Sequence, residues 1–254
     1  MSVNAITGWC EKSEGPSLGQ FEIHIWRIGL VWPDIVESRL KVFLTDEEFH
    51  RADGFHFARD QKRFIIRRAV LRRLLASYLG TRAALIHLRP GPYGKPFIRE
   101  QEEPGGIRFN CSHSGDFGLI AISRGGELGC DVEQHRQLED AQDLAAACFS
   151  ESEIKELAKL PQSLKMPGFF NCWTRKEAFV KAIGLGLSFP LNRLSVSLTP
   201  GRPATLLDVA ENPEAIKRWT MISLDVGPDY SAALVFEGRN ANLQCFEWSP
   251  HRLD

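Results

Sequence analysis

One stretch limits the possible folds more than any other: Trp173-Thr174-Arg175-Lys176-Glu177-Ala178-Phe179-Val180-Lys181, continuing into Ala182-Ile183-Gly184-Leu185-Gly186-Leu187. Phe169, Trp173, Val180 and Ile183 recur at helical steps, which predicts one apolar stripe on a helix that the glycines end. Glu177 and Lys181 stand one turn apart on an adjacent face, so an acid and a base project together. Such a pair is also an ordinary surface contact, worth roughly a few tenths of a kcal/mol, and alone it says nothing about chemistry.

A second segment, Leu128-Gly129-Cys130-Asp131-Val132-Glu133, has the period of a strand. Leu128, Cys130 and Val132 point one way, and Gly129, Asp131 and Glu133 point the other. Two carboxylates on one face repel; a divalent cation would remove that repulsion, and Mg²⁺ favours oxygen ligands of this kind. Gly129 leaves the face open. A strand with one solvated acidic face would read the same way.

With 254 residues, 43% of them hydrophobic, the chain can bury a sizeable core as one large domain or two modest ones. Its net charge of −1 makes no global electrostatic case for a nucleic-acid or membrane partner. The six cysteines lack Cys-x-x-Cys spacing, which argues against zinc and against a disulfide framework. With no basic segment followed by an apolar run at the start, and no stretch of membrane-spanning length, a cytoplasmic enzyme is expected.

In chain order, the first twenty residues carry no pattern and predict a loose lead-in, followed by a strand over 21–28. Thr45 and Glu48 are spaced as a capping box opening a helix. Residues 60–80 predict a long helix that buries Phe64, Leu71, Leu74, Leu75 and Tyr78 and stops at Gly80. Its other side carries Arg59, Lys62, Arg63, Arg67, Arg68, Arg72 and Arg73, seven cations in fifteen residues, a density that favours an anion partner for some of them. For Arg72 and Arg73, stems lying over apolar surface are a sufficient explanation. The glycines and prolines of 91–96 predict a turn between short strands. A strand over 107–113 ends in Ser112-His113-Ser114-Gly115, but without a Gly-x-Ser-x-Gly elbow this is no serine hydrolase. Residues 117–123 and 128–133 read as a hairpin, 138–147 as a helix, and Ser150 with Glu153 as a second capping box. Pro161 and Pro167 bracket an expected loop before the central helix; strands over 194–198, 205–207, 219–224, 231–236 and 243–247 would complete the second half's sheet.

Gly-x-Asp-Val-Glu at 129–133, followed by Trp-x-x-Lys-Glu-Ala-x-x-Lys at 173–181 and Gly-x-Gly at 184–186, resembles the 4'-phosphopantetheinyl transferases, specifically the larger single-chain type that activates peptide and polyketide synthases. Gly94-Lys95-Pro96, the segment 109–115 and the basic helix around Arg63 agree with that family, so the resemblance spans roughly residues 45 to 200. It implies an α+β fold of two similar halves, 1–125 and 126–254, each an antiparallel sheet packed with helices. A pseudo-twofold axis would relate them, with coenzyme A in the cleft between. No internal repeat is visible in the sequence itself.

By the same resemblance Asp131, Glu133 and Glu177 would hold Mg²⁺, with Mn²⁺ as the alternative, and Arg63, Lys95, Pro96, Ser112 and His113 would contact coenzyme A. Glu177 is the expected general base, Lys181 the stabiliser of the pyrophosphate, and Glu153 a secondary acid for which its cap is also a sufficient role. The implied reaction moves the 4'-phosphopantetheine arm to a serine of an apo acyl or peptidyl carrier protein and releases adenosine 3',5'-bisphosphate. A monomer without nucleic-acid or membrane partners is expected. Two other readings stay open: a coenzyme A-binding regulatory protein without turnover, and a nucleic-acid module built on the arginines of 59–73.

Overall fold

The computed structural model describes residues 8–12 and 14–250. Part of the expected lead-in, residues 1–7 and 13, lies outside the described residues. After β1 (Cys10–Lys12) and β2 (Glu22–Gly29) come α1 (Asp34–Leu40), α2 (Asp46–Asp53) and the long α3 (Ala58–Leu79). Short β3 (Leu88–Pro90) and β4 (Pro96–Ile98) lead to β5 (Ile107–Ser114), β6 (Phe117–Arg124) and β7 (Leu128–Gln134). Then follow α4 (Ala141–Cys148), α5 (Glu151–Lys159), the central α6 (Gln162–Ile183), β8 (Leu194–Val196), β9 (Leu206–Val209), α7 (Ala215–Arg218), β10 (Trp219–Ser223), β11 (Tyr230–Glu237) and β12 (Asn242–Trp248).

Two sheets form the centre, in the orders β1-β12-β2-β6-β5 and β10-β11-β7. Strand period decides what each face covers. Trp26, Ile28, Ile120 and Ile122 turn to α3, where they meet Ile66, Val70 and Leu74. Their neighbours Ile23, Ile25, Leu119 and Ala121 turn the other way, onto Leu128, Cys130, Val132, Ala232 and Leu234 of the second sheet. The far face of that sheet, with Ala233 and Val235, packs on Phe169, Ala178, Phe179 and Ala182 of α6. The result is a helix, two sheets and a helix in layers, an α+β arrangement as the sequence led us to expect.

Capping signals held at both boxes: Thr45 accepts from the Glu48 amide and Ser150 from the Glu153 amide, with the reciprocal bonds made. Gly80 ends α3 in the left-handed region at φ 61°.

Four expectations require correction. The segments 117–123 and 128–133 are not a hairpin: β6 pairs with β2 and β5, while β7 pairs only with β11, so the Gly125-Gly126 connection steps from one sheet to the other. The last strand, β12, does not join the second half's sheet; it enters the first between β1 and β2, parallel to both, which makes that sheet mixed. Pro167 lies inside α6, which starts at Gln162. As the sixth helical residue it leaves the Ser163 carbonyl without its usual intrahelical donor, and Gly168 lets the next turn close on the end of α5, since a Cβ there would stand 2.5 Å from Leu160 Cδ1. Finally, α6 has no single apolar stripe: Thr174, Arg175 and Lys176 are buried along with Phe170 and Phe179, because sheet, α5 and the β8 segment surround it.

Candidate active site

β5 and β7 are edge strands of different sheets that run side by side, and side chains replace the missing backbone ladder between them. Asn110 Oδ1 accepts from the Cys130 amide at 2.9 Å. One step along, Ser112 Oγ donates to Asp131 Oδ1 at 2.6 Å; a further step along, Ser114 Oγ donates to Glu133 Oε2 at 2.7 Å and accepts from the Gln134 amide at 3.1 Å. Both carboxylates of the Asp-Val-Glu segment are thus held by serines of the neighbouring half.

Helix α6 closes over this seam at Gly129. A Cβ at that position would lie 2.2 Å from Ala178 O and 2.3 Å from Ala182 N, so only glycine admits the helix backbone. This overturns the expectation of an open or solvated acidic face: Asp131 is 3% exposed. The approach delivers Lys181 Nζ to Asp131 Oδ1 at 2.6 Å and to Ser112 Oγ at 3.1 Å. Lys181 therefore pairs with Asp131, the partner across the crossing, and the helical Glu177–Lys181 pairing is not what forms.

The charges here are unevenly satisfied. Asp131 Oδ2 is buried and has no hydrogen-bond partner among the described residues. Burial pushes the pKa of half-buried Glu177 up, Lys181 opposes this, and the Asp131 and Glu133 carboxylates push it further up. Burial alone would lower Lys181, but Asp131, with help from Cys130 and Glu177, outweighs it and raises the group, which stays protonated. Among the described residues no set of three or more His, Cys, Asp or Glu side chains converges as a metal cage. The lone Asp131 oxygen, next to two further carboxylates, nevertheless suits a hard divalent cation better than any neutral partner.

Beside the seam, between α3 and β5, opens a cleft of about 800 Å³ lined by Arg51, Arg67, Arg68, Pro96, Ser112 and His113 among others. The two-residue period separates Ser112 from His113: the serine turns to Asp131, while the histidine, open to solvent on one side and with its ring partly enclosed by the cleft, stands among the arginines of α3. Burial first, then Arg67, Lys181 and Arg63, push the His113 pKa down to about 4, so its ring is neutral at neutral pH. Arg67 lies 5.2 Å over the Phe64 ring with an unpartnered Nε, and Arg68 sits 2.8 Å from Glu48. Arg63 pairs with Asp116 in the β5–β6 turn.

Not every residue at or near the cleft is free for a ligand; Arg72, read from the sequence as structural, lines it but is engaged by the fold. Arg72 is buried, bonded to Glu48 at 2.6 Å and to two carbonyls, a structural role. Lys95 turns away from the cleft that its neighbour Pro96 lines, towards Glu127. Glu153 is 1% exposed, caps α5 and pairs with Lys176 at 2.6 Å. Sequence reasoning undervalued Arg67 and missed Arg51: Arg67 is one helical turn beyond Arg63, a signal that was available, whereas Arg51 comes from α2 and nothing local announces it.

An arginine-lined cleft that shares Ser112 with a carboxylate–lysine centre is an arrangement suited to a polyanionic ligand. Residues 127–235 match the 4'-phosphopantetheinyl transferase superfamily and residues 36–124 the 4'-phosphopantetheinyl transferase N-terminal family. The chain is similar to the 4'-phosphopantetheinyl transferase HetI of Nostoc sp., 31% identical over 95% of this chain and 96% of that one. It is also similar to the 4'-phosphopantetheinyl transferase psf-1 of Bacillus pumilus, 29% identical over 66% of this chain and 70% of that one. Among solved structures, holo-[acyl-carrier-protein] synthase of Thermotoga maritima aligns with a TM-score of 0.36 over 45% of this chain and 64% of that one, at 17% identity. The chain belongs to the 4'-phosphopantetheinyl transferase family. It is a transferase of phosphopantetheine, and the non-catalytic alternative finds no support.

Proposed function

We propose that the seam between β5 and β7 is the reaction centre and that the α3–β5 cleft holds coenzyme A. The observation that carries this is the buried Asp131 carboxylate, with one oxygen on Lys181 and Ser112 and the other without a partner among the described residues, joined through Ser112 to a cleft rich in arginine. Residues of the first half, 1–125, then supply most ligand contacts, and residues of the second half, 126–254, supply the reactive groups.

In this reading Arg63, Arg67, Arg68 and His113 meet the ligand's phosphates, and Pro96 and Ser112 line its path. A guanidinium matches a phosphate in bidentate fashion, and Arg67 is free to do so without breaking an ion pair. Asp131, Glu133 and Glu177 would hold Mg²⁺, or Mn²⁺ in its place. Once bound, the ion would neutralise pyrophosphate charge. Ser112 and Ser114 orient the first two carboxylates. Glu177, raised in pKa by burial and by its two acidic neighbours, is the group suited to take the proton of the incoming serine hydroxyl. Lys181, held protonated by Asp131, faces the charge that develops on the departing phosphate.

The acceptor is the serine of an apo acyl or peptidyl carrier protein, and the second product is adenosine 3',5'-bisphosphate. The residues assigned here to the phosphates, the metal and the proton all come from one chain, which supports a monomer. Among the described residues no helix is long and apolar enough to cross a membrane. The test is mass spectrometry of apo carrier proteins incubated with the wild-type protein, Mg²⁺ and coenzyme A. A phosphopantetheine adduct on the carrier serine is the expected result; its absence from a panel of acyl and peptidyl carriers would remove the reading.

A further inference from the structure

Lys95 was expected to meet a phosphate of the ligand, but its ammonium is already fully used. It donates to Glu127 Oε2 at 2.7 Å, to Leu128 O at 2.9 Å and to Ala182 O at 3.2 Å. An ammonium has three N–H groups and no more. The positions of these acceptors are informative. Leu128 begins β7, three residues before Asp131, and Ala182 follows Lys181 on α6. Between them lies Gly129, where the two backbones touch. Lys95 therefore bridges the two elements at their crossing, and its carboxylate partner Glu127 is braced by Arg108 at 3.3 Å. The Gly-x-Gly after α6 serves the same junction: Gly186, at φ 54°, brings the chain against Tyr93, whose carbonyl would lie 3.1 Å from a Cβ there.

We propose that Lys95 is a positioning residue for the transfer reaction, a clasp that sets the β7–α6 crossing and through it the Asp131–Lys181 pair, and not a ligand of coenzyme A. The proposal rests on the seam being the reaction centre. Loss of the clasp lets β7 and α6 slide on each other, and a misplacement on the order of 1 Å costs about 10²-fold in rate.

The test compares Lys95→Met, Glu127→Gln and the double variant, each checked for folding by thermal unfolding. Calorimetry would measure coenzyme A affinity at low and high salt, and single-turnover transfer to an apo carrier protein would be followed at saturating coenzyme A. Expected are affinities within about threefold of wild type with unchanged salt dependence, and transfer slowed by about tenfold or more in both single variants. The double variant should be no slower than the worse single one, since the two residues form one device. A tenfold or greater loss of affinity in Lys95→Met, with reduced salt dependence and no such change in Glu127→Gln, would show that Lys95 meets the phosphate. Wild-type transfer rates in both variants would show that the crossing does not depend on the clasp. If Lys95→Met does not fold, the shape-conserving Glu127→Gln decides by its rate alone. Absence of transfer by the wild-type protein overturns the functional reading instead, so the two failures are distinct.

Discussion

Helix α6 carries two lysines, each 2.6 Å from a carboxylate, and the two pairs have opposite characters. Lys176 and Glu153 are each 1% exposed or less and every polar atom has a partner. Glu153 accepts from the Ser150 amide, the Val196 amide and Lys176, while Lys176 also reaches the carbonyls of Cys148, Leu191 and Leu194. Lys181 and Asp131 have Ser112 between them, a cleft beside them and one carboxylate oxygen with no partner among the described residues. A buried charge pair is neutral or costly unless it is completed by hydrogen bonds, so the complete pair reads as architecture. The incomplete one leaves a charge that a ligand could meet, at a cost in stability, which is the pattern expected of a reaction centre.

The largest expected effect tests the complete pair. Lys176→Met leaves Glu153 charged in a dry site and should destabilise the fold by about 3–5 kcal/mol, measured by denaturant unfolding. Adding Glu153→Gln should restore part of that loss. Transfer per folded molecule should stay near wild type in the double variant. A rate loss beyond about tenfold in a folded double variant would erase the distinction between the two pairs.

The incomplete pair should respond in the opposite sense. Asp131→Asn keeps the side-chain shape and an acceptor for Lys181, and removes a charge whose second oxygen was never bonded. Its stability should change by no more than about 1–2 kcal/mol. Single-turnover transfer should fall by about 10²–10³-fold, the usual cost of removing one preorganised charged group from a reaction centre. A folded Asp131→Asn protein with wild-type turnover would make the seam another structural pair.

Sequence and structure agree where one short segment contains the whole argument. The strand period of 128–133 placed Asp131 and Glu133 on one face, the capping boxes needed only four residues each, and Gly80 alone marked the end of α3. What escaped was the choice of partner. Glu177 and Lys181 look like a pair at i,i+4, yet Gly129 brings α6 so close to β7 that Asp131 captures the lysine. Ser112 and His113 adjoin in sequence but face different subsites, a consequence of strand period that becomes useful only once the layer on each side is known. β12 pairs with β2 across more than two hundred residues, and no local pattern specifies a pairing of that range. Pro167 was read as a break because the packing around Gly168 that holds the helix start is tertiary. The family motifs name more of the proposed site than periodicity does, and at Lys95 the implied ligand contact stands beside observed bonds to Glu127, Leu128 and Ala182.

The smallest effect separates the cleft from the seam by its protons. His113 has its pKa pushed down to about 4 by burial and by the cations around it, so the free protein holds a neutral ring at neutral pH. Between that value and the ordinary one of 6.5 the unfolded chain binds a proton that the folded protein refuses. His113 therefore costs the fold stability as pH falls through this window, and contributes no pH dependence above it. A phosphate placed beside the ring reverses the balance, because opposite charge raises a histidine. Coenzyme A binding should then take up a fraction of a proton, and affinity should rise as pH is lowered, by less than about tenfold per unit, the limit for one group. His113→Gln should remove this slope while leaving the pH dependence of the transfer step, which the proposed mechanism assigns to Glu177. The measurement is calorimetry in buffers of different ionisation enthalpy, with and without the substitution. An unchanged proton uptake in His113→Gln would assign the cleft's titration to another group and detach His113 from the phosphates.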